Sequence, residues 1–431
     1  MVLPTGRRSG RTSDQRALAR GGAAVRAHVR EVALLAGWPG RVVAAVRLVS
    51  AGRNVGDQPD EGGGLDGAGG AREADDPAGD LLKVRQADAV GQIAVPEADD
   101  LLLRVSGLRK HFPIQKGLFG RTVGQVRAVD GVDFTINKGE TLGLVGESGC
   151  GKSTTGRCLL RGHDLTAGEI WFNDQDLGWV DVFGLDRNDL KMFRRHAQMI
   201  MQDPFHSLNP RMTLLDIVGE GLTIAGVRGQ ERIDRVAATL EVVGLRREYM
   251  SRYPHAFSGG QRQRIGIARA LALNPQFVVC DEPVSALDVS IQAQILNLLQ
   301  DLQDRFDLTY LFVAHQLNVV QHICDRVAVM YVGRVVEVAD TQALFRGPRH
   351  PYTEALLSAV PRPDPRHEHD EIVLSGEVAN PAAPPDGCYF HPRCNYVVED
   401  CSQRAPELTA EAEQHFVRCH RAGELTLAGV D

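Results

Sequence analysis

Between residues 101 and 349 the apolar residues gather in short unbroken runs. Thr141–Val145, Phe277–Cys280, Tyr310–Ala314 and Val327–Tyr331 are of this kind. Runs this short and this apolar predict buried strands. Gly333 separates Tyr331 from Arg334–Ala339, which predicts a terminal hairpin. Elsewhere the period lengthens. Ser290–Gln303 carries apolar residues at helical spacing, and Lys152 opens another helix. The stretch from Gln202 to Phe277 reads as a mainly helical insert. Folded sequence begins near Leu101–Val105. Strands alternating with helices predict an α/β fold. No internal repeat occurs at solenoid periods.

The first hundred residues depart from this pattern. Residues 1–56 are rich in Arg, Ala, Gly and Val, and residues 57–100 turn to Asp, Glu and Gly. Segments of this composition rarely bury enough surface to fold. Residues 1–98 are therefore expected to be a disordered extension that contributes nothing to the chemistry. A net charge of −7 argues against a general nucleic-acid binder. No apolar run approaches the length of a membrane span, and no signal-peptide core is present, so a cytoplasmic location is expected. The cysteines should then be reduced.

Residues 146–153 read Gly-Glu-Ser-Gly-Cys-Gly-Lys-Ser, a complete phosphate-binding loop between a strand and a helix. Backbone N–H groups from Gly146, Glu147, Ser148, Gly149, Cys150 and Gly151 to Thr154 can cradle phosphate oxygens, helped by the helix N-terminus. Lys152 would reach the β- and γ-phosphates, and the Ser153 hydroxyl would bind Mg²⁺. The apolar run Phe277–Cys280 ends in Asp281-Glu282. Asp281 can hold Mg²⁺, and Glu282 is placed to orient or deprotonate a water.

Phe257-Ser-Gly-Gly-Gln-Arg-Gln-Arg264 opens a further helix about twenty residues before that strand. This phrase is similar to the signature of ATP-binding-cassette (ABC) ATPases, which the chain resembles over roughly residues 101–350. The resemblance implies a P-loop cassette with a mixed sheet core, an antiparallel β subdomain and a helical subdomain. It implies that Ser258, Gly259, Gly260 and Gln261 meet nucleotide held by a partner cassette. It also implies that Gln202 senses Mg²⁺ and water, that Ser285-Ala-Leu-Asp288 touches the partner subunit, and that His315 contacts the γ-phosphate. Taken alone, His315 reads as a packed core histidine. Gln316 is a departure, because the family usually has Asp there. Phe112 is the candidate for stacking on adenine, with Phe119 as the competing aromatic.

Within the family, Gln202–Met212, Tyr253–Arg264, Asp281–Ser290 and His350–Pro361 look like the ATP-binding subunits of oligopeptide/dipeptide importers. That implies two membrane permease subunits, a second and usually paralogous ATPase, an extracytoplasmic peptide-binding protein reached through the permeases, and a place at the cytoplasmic face of the membrane. ATP and Mg²⁺ are the implied cofactors. A nickel or glutathione importer is the alternative, and a soluble non-transport cassette ATPase a more distant one. The domains expected are an extension (1–98), a cassette (99–349) and a C-terminal cysteine-bearing extension (350–431). In that tail Cys388, Cys394, Cys401 and Cys419 are spaced C-x(5)-C-x(6)-C-x(17)-C, and the surroundings are Pro-rich with little apolar periodicity. Such a tail is expected to need a staple to fold. Four thiolates suit an iron–sulfur cluster, and some members of the resembled group hold a 4Fe–4S cluster. Zinc, helped by His391 or His420, and unliganded thiols stay open as alternatives.

Overall fold

The computed structural model describes residues 100–117, 121–360 and 371–430. The expected N-terminal extension and Phe119 lie outside them. The apolar runs become the central strands of a mixed sheet. Its order is β11 (Thr409–Ala412), β12 (His415–Val417), β10 (Arg334–Asp340), β9 (Arg326–Tyr331), β3 (Thr141–Val145), β8 (Thr309–Ala314), β7 (Phe277–Asp281) and β6 (Ala197–Ile200). The middle strands are parallel and buried along their whole length. Burial on both faces is why they read as unbroken apolar runs. The hairpin expected around Gly333 forms as antiparallel β9–β10.

A second, antiparallel sheet runs β2 (Arg121–Asn137), β1 (Leu101–Lys116), β4 (Ala167–Asp174) and β5 (Gly178–Asp181). It packs through Leu103, Val105, Val132 and Ile170 on one face of the central sheet, together with the helix Lys152–Leu159. The helical insert comprises Leu214–Ile224, Gly229–Val242 and Gly259–Leu271. Its apolar faces, including Val218, Leu222, Leu240 and Ile265, join the core on the other side. Thr213 caps the first of these helices, its hydroxyl accepting the Asp216 N–H.

The tail is held by means its sequence pattern does not display. β12 pairs antiparallel with β10, so the tail extends the central sheet. Glu337 of β10 is fully buried. Its carboxylate accepts bonds from the Arg349 N–H (2.7 Å), the His350 N–H (3.1 Å) and His415 Nε2 (2.7 Å). His350 caps the helix Pro351–Ser358, its Nδ1 accepting the Tyr352 N–H at 3.1 Å. That acceptor role requires an unprotonated Nδ1. Burial holds the His350 pKa down to about 4, against the pull of Glu337. The folded value lies below the ordinary 6.5, so folding favours the neutral ring. This contribution is present above pH 6.5 and is lost on acidification toward 4. Melting temperature should therefore fall more steeply across that window in the parent than in His350→Asn, which keeps a cap acceptor without the titration. Equal slopes would refute the assignment.

Candidate functional site: a phosphate loop and its surroundings

The parallel register builds the site. Val145 pairs with Ala314, and Asp281 with Val313, so β3, β7 and β8 end at one edge. Gly146, Glu282 and His315 are the next residues along each strand. The loop after β3 turns tightly under the backbone of its neighbours. A Cβ at Gly146 (φ +148°) would lie 2.1 Å from the Met330 carbonyl oxygen, and one at Gly151 (φ +107°) 2.0 Å from that of Ala128. Only glycine fits either place. Lys152 is buried, and its ammonium donates to the carbonyls of Gly146 (2.7 Å) and Glu147 (2.9 Å).

Ser153 Oγ donates to Asp281 Oδ1 at 2.7 Å. Asp281 is buried, and burial pushes its carboxyl upward, opposed by the Ser153 hydroxyl and the charge of Arg157. A hydroxyl and a carboxylate are hard oxygen ligands of the kind Mg²⁺ takes, and a divalent cation would favour the ionised acid. Glu282 has φ +46°, strained for a side-chain-bearing residue. Its N–H donates to the Val313 carbonyl at 3.0 Å, which ties that turn to β8. One of its oxygens, Oε2, accepts from Gln202 Nε2 at 2.8 Å and lies 3.1 Å from His315 Nδ1. The structure thus brings Gln202, Glu282 and His315 to one point.

Ser258 and Gln261 form a reciprocal capping box at the helix Gly259–Leu271. No hydrogen bond joins this segment to loop 146–154 among the described residues. A Cβ at Gly260 would meet Ile291 at 2.6 Å, so the helix start packs against the helix Val289–Phe306. Asp288, at the N-terminus of that helix, is exposed. Phe112 is half-buried on β1, its ring edge-on to His163 at 5.5 Å with the Lys110 ammonium 4.8 Å above it. Gln316 stands at the N-cap of the helix Leu317–Ile323 and makes no side-chain cap bond. Asp caps helices well, and a cap is worth about 1 kcal/mol. Gln316→Asp should therefore stiffen the turn that carries His315. The expected result is faster ATP turnover at unchanged nucleotide affinity. Identical turnover would leave the departure without catalytic meaning.

Cys388, Cys394, Cys401 and Cys419 line one small cavity together with His350 and Phe390. All four are free thiols. Burial pushes Cys388 up to about 11 and Cys419 up to about 12, and neighbouring thiols of the set push the same way. The tail thus gathers its cysteines. However, no group of three or more His, Cys, Asp or Glu side chains stands in metal-holding geometry among the described residues.

Contacts between the tail and the phosphate loop carry no sequence signal. Tyr352 Oη accepts the Glu147 N–H at 2.9 Å, and the Arg393 guanidinium bonds both oxygens of the Glu147 carboxylate. The partners stand 205 and 246 residues apart, beyond the reach of any local pattern.

Comparison with known proteins extends these observations. Residues 129–285 match the family described as ABC transporter, and residues 336–401 match the oligopeptide/dipeptide transporter C-terminal region. The oligopeptide transport ATP-binding protein AppF of Bacillus subtilis is 51% identical over 324 residues, covering 74% of this chain and 97% of that protein. The probable peptide ABC transporter ATP-binding protein y4tS of Sinorhizobium fredii is 49% identical over 322 residues, covering 74% and 90%. A bacterial ABC transporter cassette solved as a dimer is 28% identical over 56% of this chain and 99% of its own, with a TM-score of 0.48. With its phosphate loop, its Asp281-Glu282 strand end and its matching C-terminal region, the chain belongs to the ABC transporter ATPases, in their oligopeptide/dipeptide group.

Proposed function

We propose that this chain binds and hydrolyses ATP to power an importer of peptides. The carrying observation is the continuity of the match: one relative, named for oligopeptide transport, aligns over 97% of its own length. The two family matches fall on the phosphate site, at residues 129–285, and on the tail, at residues 336–401. Among the described residues no helix is long and apolar enough to cross a membrane. Translocation would then fall to two permease subunits, with this chain at the cytoplasmic face of the membrane and an extracytoplasmic binding protein delivering peptide. The test is reconstitution with permeases, partner ATPase and binding protein in vesicles. ATP hydrolysis should rise with loaded di- or oligopeptide. Stimulation by nickel or glutathione alone would move the assignment to those cargoes.

In the mechanism, Lys152 and the loop N–H groups would hold the triphosphate, and Ser153 and Asp281 would hold Mg²⁺, which would supply charge stabilisation at the phosphates. Gln202 and His315 hold one oxygen of Glu282, which leaves the other to take the proton of the attacking water. Phe112 stacks on adenine. Ser258, Gly259, Gly260 and Gln261 face the nucleotide of a second, paralogous ATPase, and Asp288 meets that partner. The exposure of Asp288, and the lack of any hydrogen bond among the described residues between the capping box and its own chain's loop 146–154, support this division.

The four thiols of the cysteine cavity would hold a 4Fe–4S cluster, which would supply a structural staple. Their gathering on one cavity supports the set. A bound metal would favour the thiolates that burial disfavours. Protein purified without oxygen should carry about four irons per chain and absorb in the visible blue. Colourless, iron-free protein would rule out the cluster, and zinc in its place would select the alternative.

A further inference from the structure

The phosphate loop carries a carboxylate of its own. Glu147 stands at its second position, and its charge offsets that of Lys152, the cation meant for phosphate. An anion-binding loop with a free carboxylate would repel a triphosphate. The carboxylate is instead clamped from outside the cassette. Arg393 Nη1 lies 3.0 Å from Glu147 Oε2 and Arg393 Nη2 3.2 Å from Oε1, a bidentate pair. Arg393 is buried, and its side chain lies 6.0 Å from the Tyr331 ring centre. It closes the short turn His391–Arg393 between Cys388 and Cys394. In that turn the Cys394 N–H donates to the His391 carbonyl, and the His391 N–H to the Cys388 carbonyl. On the same side, Phe390 packs on Tyr331 and Tyr352, and Tyr352 accepts the Glu147 N–H. The charged groups facing Glu147 are thus Arg393 and, through the loop carbonyl, Lys152.

We propose that Arg393 is a positioning residue for ATP: it draws back and neutralises Glu147, so nucleotide affinity depends on the docked tail. The proposal rests on the reading of loop 146–153 as the ATP site. It makes the tail part of that site rather than an appendage. It also couples the cysteine turn to nucleotide, since the residue that clamps the loop lies inside that turn. Any such coupling acts in both directions.

The test is titration of the full chain with MgATP and, separately, with AMP, each variant first checked by thermal melting. Arg393→Gln should weaken MgATP binding on the order of tenfold, the scale of one uncompensated charge near the phosphates. AMP, with less charge at the loop, should lose much less. Adding Glu147→Gln to Arg393→Gln should restore most of the MgATP affinity, because the repelling charge is gone. Arg393→Lys should keep most of it as well, and it remains informative where Arg393→Gln does not fold. The proposal fails if Arg393→Gln binds MgATP like the parent, if the two substitutions simply add, if MgATP and AMP weaken equally, or if Arg393→Lys is as weak as Arg393→Gln. A parent chain that binds no MgATP would instead overturn the reading of the loop itself.

Discussion

Glu282→Gln should reduce ATP turnover on the order of 10²–10⁴-fold while leaving nucleotide binding close to the parent value. The amide keeps the size of the carboxylate, so the strained turn at φ +46° and its bond to Val313 persist. Gln202 can still donate to the remaining carbonyl oxygen, so the neighbourhood stays in place. What would disappear, on the proposed mechanism, is the base that takes the proton of water. Lys152 and the loop follow β3, which β8 separates from β7, so the groups proposed to hold phosphate are untouched. Steady-state hydrolysis in the assembled transporter, set beside a nucleotide titration, separates the two effects. Near-parent turnover would remove Glu282 from the mechanism, and lost binding would make its role structural.

Glu337→Ala should lower stability by about 3–5 kcal/mol, the usual cost of breaking a buried ionic network on one side. The substitution strands two backbone N–H groups, of Arg349 and His350, and one ring nitrogen of His415. The donors of His350 and His415 are buried and that of Arg349 is part-buried, and unpaired buried donors keep their full desolvation cost. The expected fall in melting temperature is roughly 4–7 °C for a folded unit of this size. Limited proteolysis should open the chain after residue 349 first, because Glu337 joins β10 to both the helix Pro351–Ser358 and β12. Unchanged melting together with an unchanged digestion pattern would show that strand pairing alone docks the tail.

The central strands were legible because parallel strands buried on both faces leave unbroken apolar runs. The run at residues 141–145 is β3 residue for residue, and 277–280, 310–314 and 327–331 each fall one residue short of the observed strand. The antiparallel sheet was less visible. β1 and β2 are long, bulged and half-exposed, so their apolar positions do not alternate cleanly. The tail strands β11 and β12 were invisible, because four and three residues with two apolar positions each carry no period. They exist because the β10 edge gives them backbone partners.

For the site, the sequence alone determined which chemical groups are present and in what local frame. The glycines at 146 and 151, Lys152-Ser153 and Asp281-Glu282 are local signals, since a tight turn and a strand end each demand residue types at fixed spacing. Only the tertiary structure decided which groups share a point. The β3–β8–β7 register sets Glu282 beside His315, the end of β6 delivers Gln202, and chain folding sets the Arg393 guanidinium on Glu147 across 246 positions. Such pairings obey no period, because they are fixed by the register of strands and the closure of long loops rather than by neighbours along the chain.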